Sequence, residues 1–320
     1  MGQTKPSLSV VIVSWNTKRL VLECLESLER NRGCLPLELI LVDNASSDGT
    51  AEDVQRQFPH VRLVRNERNL GFARANNIGI NLSSGEYVCL VNSDVAVPDG
   101  CLQKMLDYME EHADVGMLGP KMILPDGSVG QSCMQLPTVW KCFCNALALD
   151  SLCRGSKIFG DLMMRGFTYD RIEDVEVLTG WFWMIRREAM NQVGLLDDRF
   201  FMYGEDIDWP KRFHDGGWRV VFHSGAEAIH HCAASSSKAP IRFYVEMHRA
   251  NMQYYEKHHR FHAVFGFWLA TCLQQIIRIV GYGFLYLLKQ SVRSKAGYRV
   301  RRSLACLLWL TGLRTQREAQ

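Results

Sequence analysis

Glu86-Tyr-Val-Cys-Leu-Val-Asn-Ser-Asp-Val95 carries an apolar run straight into Asn92, Ser93 and Asp94, so a carboxylate and two small polar groups stand at the carboxyl end of a predicted strand. Ligands of α/β sheets bind at that end. Upstream, Glu38-Leu-Ile-Leu-Val-Asp43 does the same, ending on Asp43 and then the turn-forming Asn44-Ala-Ser46-Ser-Asp48-Gly49. Two strands therefore deliver acids to one rim.

Working outward, Ser9-Val-Val-Ile-Val13 is a continuous β-branched run of the kind covered on both faces of a sheet. Ser14-Trp-Asn16 leads from it to Leu20, Cys24, Leu25 and Leu28 at helical spacing. The alternation continues with a strand at 38–43, a helix at about 50–58, a strand at 61–64, a loop entering a helix over 69–79 and a strand at 87–91. Strands alternating with helices predict an α/β fold with a mostly parallel sheet. Pro98 opens another helix, 115–119 is a short strand, and 130–178 reads as long loops able to recognise a second substrate. Val177 to Ile185 is predicted as one apolar strand, followed by a helix from Arg186 to about Val193. Glu205, Asp206 and Asp208 then begin a helix running through Phe213 to Gly216-Gly217, where the dipole tolerates negative charge.

A chain of 320 residues with 47% hydrophobic and 22% charged residues is globular rather than disordered. Its 11 cysteines form no tight framework, Cys142 and Cys144 match no zinc pattern, and no apolar leader precedes the first strand. A reducing cytoplasm is expected. The net charge of +3 conceals an asymmetry: residues 241–320 hold 13 Lys and Arg against 3 Asp and Glu, leaving 24 against 31 in 1–240. A basic tail on an acidic body implies an anionic partner for the tail. Phe261 to Leu288 is the strongest apolar stretch, interrupted by Gln274, Gln275 and Arg278. A spanning helix needs about 20 apolar residues, and a central Arg costs about 2.5–3.5 kcal/mol. The stretch is therefore expected to lie along a membrane surface, with Lys289, Arg293, Lys295, Arg299, Arg301 and Arg302 facing anionic lipid. Core helices docked on the sheet are the alternative; nucleic acid is not expected, because the charge follows an aromatic stretch rather than a nucleic-acid module. The expected division is one domain over 1–240, in halves at 1–120 and 121–240, and a helical extension over 241–320.

The rim suggests chemistry. An Asp such as Asp43 accepts hydrogen bonds from a nucleobase or ribose, and Asp94 can ligate a hard divalent cation that clamps a diphosphate. The chain lacks both a Gly-x-x-x-x-Gly-Lys-Ser/Thr loop and a Gly-x-Gly-x-x-Gly after the first strand, which disfavours P-loop NTPases and dehydrogenases. A metal and a cation such as Arg74 remain to neutralise the diphosphate. Asp206 reads by position as a helix cap, and Trp181 with Trp183, on one face of a strand, reads as core or as an aromatic wall for a ligand.

Taken in order, Val10-Val-Ile-Val-Ser-Trp-Asn16, Val42-Asp-Asn-Ala-Ser-Ser-Asp-Gly-Thr50, Asn69-Leu-Gly-Phe-Ala-Arg-Ala-Asn-Asn-Ile-Gly79, Leu90-Val-Asn-Ser-Asp94, Thr179-Gly180 and Phe200-Phe-Met-Tyr-Gly-Glu-Asp-Ile-Asp208 resemble family 2 glycosyltransferases with the GT-A fold, in particular their rhamnosyltransferase-like branch. The resemblance spans roughly residues 8–258. It implies that Asp43 contacts the donor's base, with Ser14, Asn16 and Asn44 nearby, and that Arg74 and Asn77 belong to the nucleotide-sugar site. Asn92-Ser93-Asp94 occupies the Asp-x-Asp position, and Asp94 meets Mg²⁺ or Mn²⁺ and the diphosphate. Asp206, beside Glu205, is the general base, and His230, with His231 as rival, lies near the metal. The implied activity is inverting transfer, with dTDP-L-rhamnose as first donor, to a polyprenyl-linked or polysaccharide acceptor of a bacterial surface glycan. It would take place in the cytoplasm at the inner membrane face. A UDP-hexose or UDP-N-acetylhexosamine transferase of the same fold is the nearest alternative, and a nucleotidyltransferase a more distant one.

Overall fold

The computed structural model describes residues 8–31, 35–153, 156, 158–159, 162–232 and 239–313. The chain forms two compact units, Met1–Met134 with Phe167–Ser235 and Gln135–Gly166 with Ser236–Gln320. This differs from the expected linear division: the segment 135–166, placed in an acceptor half by sequence, belongs with the C-terminal helices.

The first unit is built on a mixed sheet. Its amino-terminal half follows the alternation legible in the sequence: β1 (Leu8–Ser14), α1 (Lys18–Asn31), β2 (Leu37–Asp43), α2 (Thr50–Gln57), β3 (Arg62–Arg65), α3 (Phe72–Leu82), β4 (Tyr87–Asn92), β5 (Val95–Ala96) and α4 (Cys101–Glu111). After β6 (Val115–Ile123) and β7 (Cys133–Met134) come α5 (Val139–Ala146) and α6 (Leu149–Leu152) of the second unit. The chain then returns through β8 (Glu173–Asp174), β9 (Val177–Leu178), β10 (Phe182–Arg186), α7 (Arg187–Val193), α8 (Glu205–Asp215) and β11 (Arg219–His230). Among the described residues the main sheet runs β3-β2-β1-β4-β10-β6-β11-β5, with β8 beside β11, and β7 pairs β9 separately. β1 is parallel to β2 and β4, and β2 to β3; β10 runs antiparallel to β4 and β6. Val10, Val11 and Ile12 are fully buried, as a strand with helices on both faces requires.

Two features depart from the sequence reading. The predicted strand over 177–185 breaks at Thr179-Gly180-Trp181, where the Trp181 N–H turns back to the Thr179 carbonyl. β11 was not read at all. Its polar residues His223, Ser224, Glu227 and His230 break the apolar run, and its pairing with β6 shifts register between His223 and Glu227.

The second unit is helical: α5 and α6 join α9 (Pro240–His258), α10 (Phe261–Leu288) and α11 (Arg293–Leu310). By length and apolarity α10 alone among the described helices could cross a membrane. It buries Thr271, Gln274 and Gln275 while exposing Phe265, Ile276, Val280, Phe284, Leu287 and Leu288. Within this unit Gln274 donates to Asn145, and Tyr244 donates to Gln275. The buried face also holds Phe267, Ala270 and Cys272, so it mixes polar and apolar groups, and the exposed face is apolar, unlike that of a water-facing helix.

Candidate active site

Register assembles the rim. Ser14 at the end of β1 pairs with Asp43 at the end of β2, and Val13 pairs with Asn92 at the end of β4. The loops leaving these strands latch to one another. Asn16, in the left-handed region at φ 53°, accepts from the Ser47 N–H at 2.7 Å, while its own N–H donates to Ser46 Oγ at 2.9 Å. Asp48 accepts from the Lys18 N–H at 3.0 Å. Burial tends to raise the Asp48 carboxyl, but hydrogen bonds from Thr50 and Lys18 outweigh it and hold the group below its ordinary range. A buried hydroxyl chain then crosses the rim: Ser14 to Thr17 at 3.0 Å and Thr17 to Ser93 at 2.9 Å.

Asp43 is buried, and one carboxylate oxygen accepts from the Ser46 N–H at 3.2 Å. The other, Oδ1, is buried without a hydrogen-bond partner. A buried carboxylate oxygen left open costs free energy unless something donates to it, so Oδ1 is suited to a ligand N–H or O–H.

Opposite lies the pair Asp94 and His230. Pairing of His230 with Val95 across β11 and β5 brings the imidazole Nε2 to 3.1 Å from Asp94 Oδ1. Trp181 stacks on the imidazole with ring centroids 5.3 Å apart, and Cys232 Sγ stands 3.3 Å from Nδ1. His230, buried and held from three sides, is the histidine beside Asp94; His231 is exposed, and only its backbone N–H reaches the Asp94 carbonyl. No cluster of three His, Cys, Asp or Glu residues forms among the described residues. One carboxylate and one imidazole are two of the donors that a divalent cation takes.

The strand break carries the rest of the site. The Asn92 N–H donates to the Trp181 carbonyl at 2.9 Å, and the adjacent Gly180 N–H donates to the Asp206 carboxylate. A side chain at Gly180 would press on the Trp183 ring and on Asp206 Cβ at 3.2–3.4 Å, which keeps the position small. Two consecutive residues thus hold the Asn92–Asp94 corner and the first turn of α8 in one place. Desolvation first, and then the neighbouring Glu205 charge, push the Asp206 carboxyl well above its ordinary range, against the lowering effect of the two backbone N–H bonds. A carboxyl raised by burial and a neighbouring charge marks a candidate functional group.

Some expected roles change. Asp208 is fully buried and paired with Arg212 at 2.9 Å, and Arg212 also donates to the carbonyls of Val193, Gly194 and Leu195. It is an anchor for α8. Asn44 gives its amide to Asn69 and Gly71 and accepts from Leu70 and Asn66, so it shapes the rim. Asn77 donates to Leu196 O and Asp198, bracing α3, while its Oδ1 is buried without a hydrogen-bond partner. Trp183 is fully buried, donates to Leu178 O and packs edge-on to Trp209, which removes it from any acceptor wall; Trp181, 4% exposed, is the floor beneath His230. Arg74 sits exposed on α3. Thr17 was missed, since a lone Thr three residues after Ser14 carries little signal by itself; Gly180 was quoted in a motif without the bond it makes to Asp206.

Comparison with known proteins places this geometry. The Glycosyl transferase family 2 profile matches residues 9–194, more than half of the chain. The chain belongs to glycosyl transferase family 2. It is therefore a glycosyltransferase, and its mixed, mostly parallel sheet is the GT-A arrangement. The N-acetylglucosaminyl-diphospho-decaprenol L-rhamnosyltransferase of Mycobacterium tuberculosis is 31% identical over 257 residues, 73% of this chain and 78% of that one. Among solved structures, the mannosyltransferase PcManGT of Pyrobaculum calidifontis, in complex with GDP-Man and Mn²⁺, superposes with a TM-score of 0.56 at 15% identity, over 96% of this chain and 88% of that one. GalNAc-T7 with UDP, GalNAc and Mn²⁺ gives 0.53 at 15% identity over 78% of this chain and 50% of that one. At such identity these likenesses speak for the fold.

Proposed function

We propose that this family 2 glycosyltransferase moves L-rhamnose from dTDP-L-rhamnose, with inversion, to a sugar carried on a polyprenyl diphosphate, in the synthesis of a bacterial cell-surface glycan. The observation that carries the reading is the Gly180-Trp181 bridge, which fixes the Asn92–Asp94 corner and the raised Asp206 carboxyl together. Similarity to the mycobacterial rhamnosyltransferase supports the donor and acceptor classes.

In this mechanism Asp43 Oδ1 accepts from the donor's base, and the Ser14, Thr17 and Ser93 hydroxyls keep the rim in register beneath it. Asp94 and His230 would hold Mg²⁺ or Mn²⁺, which would neutralise charge on the diphosphate. The acceptor hydroxyl attacks the anomeric carbon, and Asp206 takes its proton. The bond from the anomeric carbon to the diphosphate oxygen breaks, and the nucleoside diphosphate leaves. Glu205 keeps Asp206 basic, and Trp181 holds His230 against Asp94.

The enzyme works in the cytoplasm at the inner membrane face, with the apolar face of α10 against lipid and the exposed basic residues at the end of α10 and along α11 toward anionic headgroups. Two experiments test these parts. Thermal-shift titration with dTDP-, UDP- and GDP-sugars should raise Tm most with dTDP-L-rhamnose; a larger rise with a UDP-sugar replaces the donor. Flotation with anionic vesicles should recover the protein in a salt-sensitive way, and its absence removes the membrane surface as a partner.

A further inference from the structure

His230 is held at both ring nitrogens. Nε2 stands 3.1 Å from Asp94 Oδ1, and Nδ1 stands 3.3 Å from the sulfur of Cys232. The second contact depends on an unusual backbone. Cys232 lies in the left-handed region at φ 58°, which residues with a side chain rarely adopt. In a straight strand residues 230 and 232 stand about 7 Å apart, and the left-handed residue folds Sγ back onto the ring. Just before it the His231 N–H donates to the Asp94 carbonyl at 3.0 Å, which fixes the chain where it leaves β11.

The two contacts ask different things of the imidazole. An ionised Asp94 only accepts, so its contact calls for a hydrogen on Nε2. In that neutral tautomer Nδ1 is an acceptor, and the Cys232 S–H is its donor. His230 as a metal ligand is the opposite case: Nε2 gives its lone pair, the ring hydrogen sits on Nδ1, and Nδ1 then needs an acceptor. The usual partners behind a ligating histidine, a carboxylate or a backbone carbonyl, only accept and hold the ring in the ligating tautomer. A thiol serves both tautomers, since S–H donates and sulfur accepts, each weakly. Trp181, stacked on the imidazole with centroids 5.3 Å apart, keeps the ring plane the same in either tautomer.

We propose that Cys232 is a positioning residue for His230, donating to Nδ1 while Nε2 bonds Asp94 and accepting from Nδ1 when Nε2 ligates a divalent cation. This deepens the assignment of Asp94 and His230 to the metal and rests on it. The imidazole stays neutral throughout: one hydrogen leaves Nε2 for water, another reaches Nδ1 from water, and the S–H rotates away from the ring. The same imidazole thereby secures Asp94 before loading and serves as a ligand afterwards.

The test uses the full chain labelled with ¹⁵N-histidine, the His230 resonances being those lost in His230→Ala. Without metal, wild type should carry the ring hydrogen on Nε2, and diamagnetic Mg²⁺ should move it to Nδ1. Mn²⁺ binding, read by electron paramagnetic resonance without turnover, should weaken about tenfold in Cys232→Ala. That is the lower end for a residue behind a metal ligand, as suits the weak hydrogen bonds of a thiol. Cys232→Ser, whose hydroxyl also donates and accepts, should recover most of the affinity. A defect of the left-handed turn would strike both variants alike, so the serine rescue separates hydrogen bonding from folding. A ring hydrogen on Nδ1 in the metal-free protein would overturn the proposal, as would unchanged Mn²⁺ affinity in Cys232→Ala or an equal loss in both variants. Failure of the metal assignment itself reads differently: wild type then binds Mn²⁺ no better than His230→Ala, and the proposal falls with it.

Discussion

Within the first turn of α8 three carboxylates stand at 205, 206 and 208, and their surroundings predict opposite consequences for Asp206 and Asp208. Asp208 is fully buried against Arg212, whose side chain is 18% exposed and whose other bonds end on backbone carbonyls. Asp208→Ala strands that guanidinium, and breaking a buried pair from one side costs about 3–5 kcal/mol. For a unit of this size that lowers Tm by roughly 10 °C. Asp206 is the reverse case. Its carboxyl is raised above the unfolded value, so its contribution to stability is complete below the unfolded carboxylate pKa and is lost as pH rises through the folded one. Asp206→Asn should therefore leave the protein at least as stable as wild type at pH 7, with the difference closing on acidification. It should lower kcat by roughly 100- to 10,000-fold, the contribution of a positioned base. Scanning calorimetry from pH 4 to 8 and initial-rate measurements on both variants separate the roles. A stable, inactive Asp208→Ala beside an unstable Asp206→Asn would refute the assignment.

Further outcomes follow from the same geometry. kcat/KM should rise with pH through the elevated Asp206 value, and Glu205→Gln should move that limb to lower pH, because the Glu205 charge is one of its two raising causes; an unmoved limb contradicts the coupling. Asp43→Ala should raise the donor KM while leaving kcat within about threefold, as loss of a ground-state contact does, and an equal fall in kcat would count against a base-binding role. Trp183→Ala should destabilise by about 3–5 kcal/mol through the contact with Trp209. Trp181→Ala should chiefly weaken Mn²⁺ activation by freeing His230, read as a higher metal concentration at half-maximal rate.

Much of the donor half was legible because each signal was local. Val10 to Ile12 and Val88 to Val91 are apolar runs ending in polar turns, and a parallel register puts Ser14, Asp43 and Asn92 on one edge without further information. The break before β10, its antiparallel pairing and the whole of β11 were not, since the partners are distant in sequence and the polar residues of β11 face neighbours that only tertiary structure supplies. The same limit applies to the site. Asp206 and His230 stand in recognisable motifs, but the groups that set their chemistry, Gly180, Trp181 and Glu205, act through backbone N–H groups, ring faces and desolvation. The bonds that Asn44 and Asn77 make within the fold were not legible either, because amides serve both ligands and loops.

The transfer reaction itself tests the central claim most directly. Purified protein, dTDP-L-rhamnose, Mn²⁺ and an N-acetylglucosaminyl diphospho-lipid should yield a single deoxyhexose addition by mass spectrometry. The anomeric configuration should be opposite to the donor's, and both EDTA and Asp206→Asn should abolish the product. Full turnover of Asp206→Asn, or retention of the donor's configuration, would contradict the account.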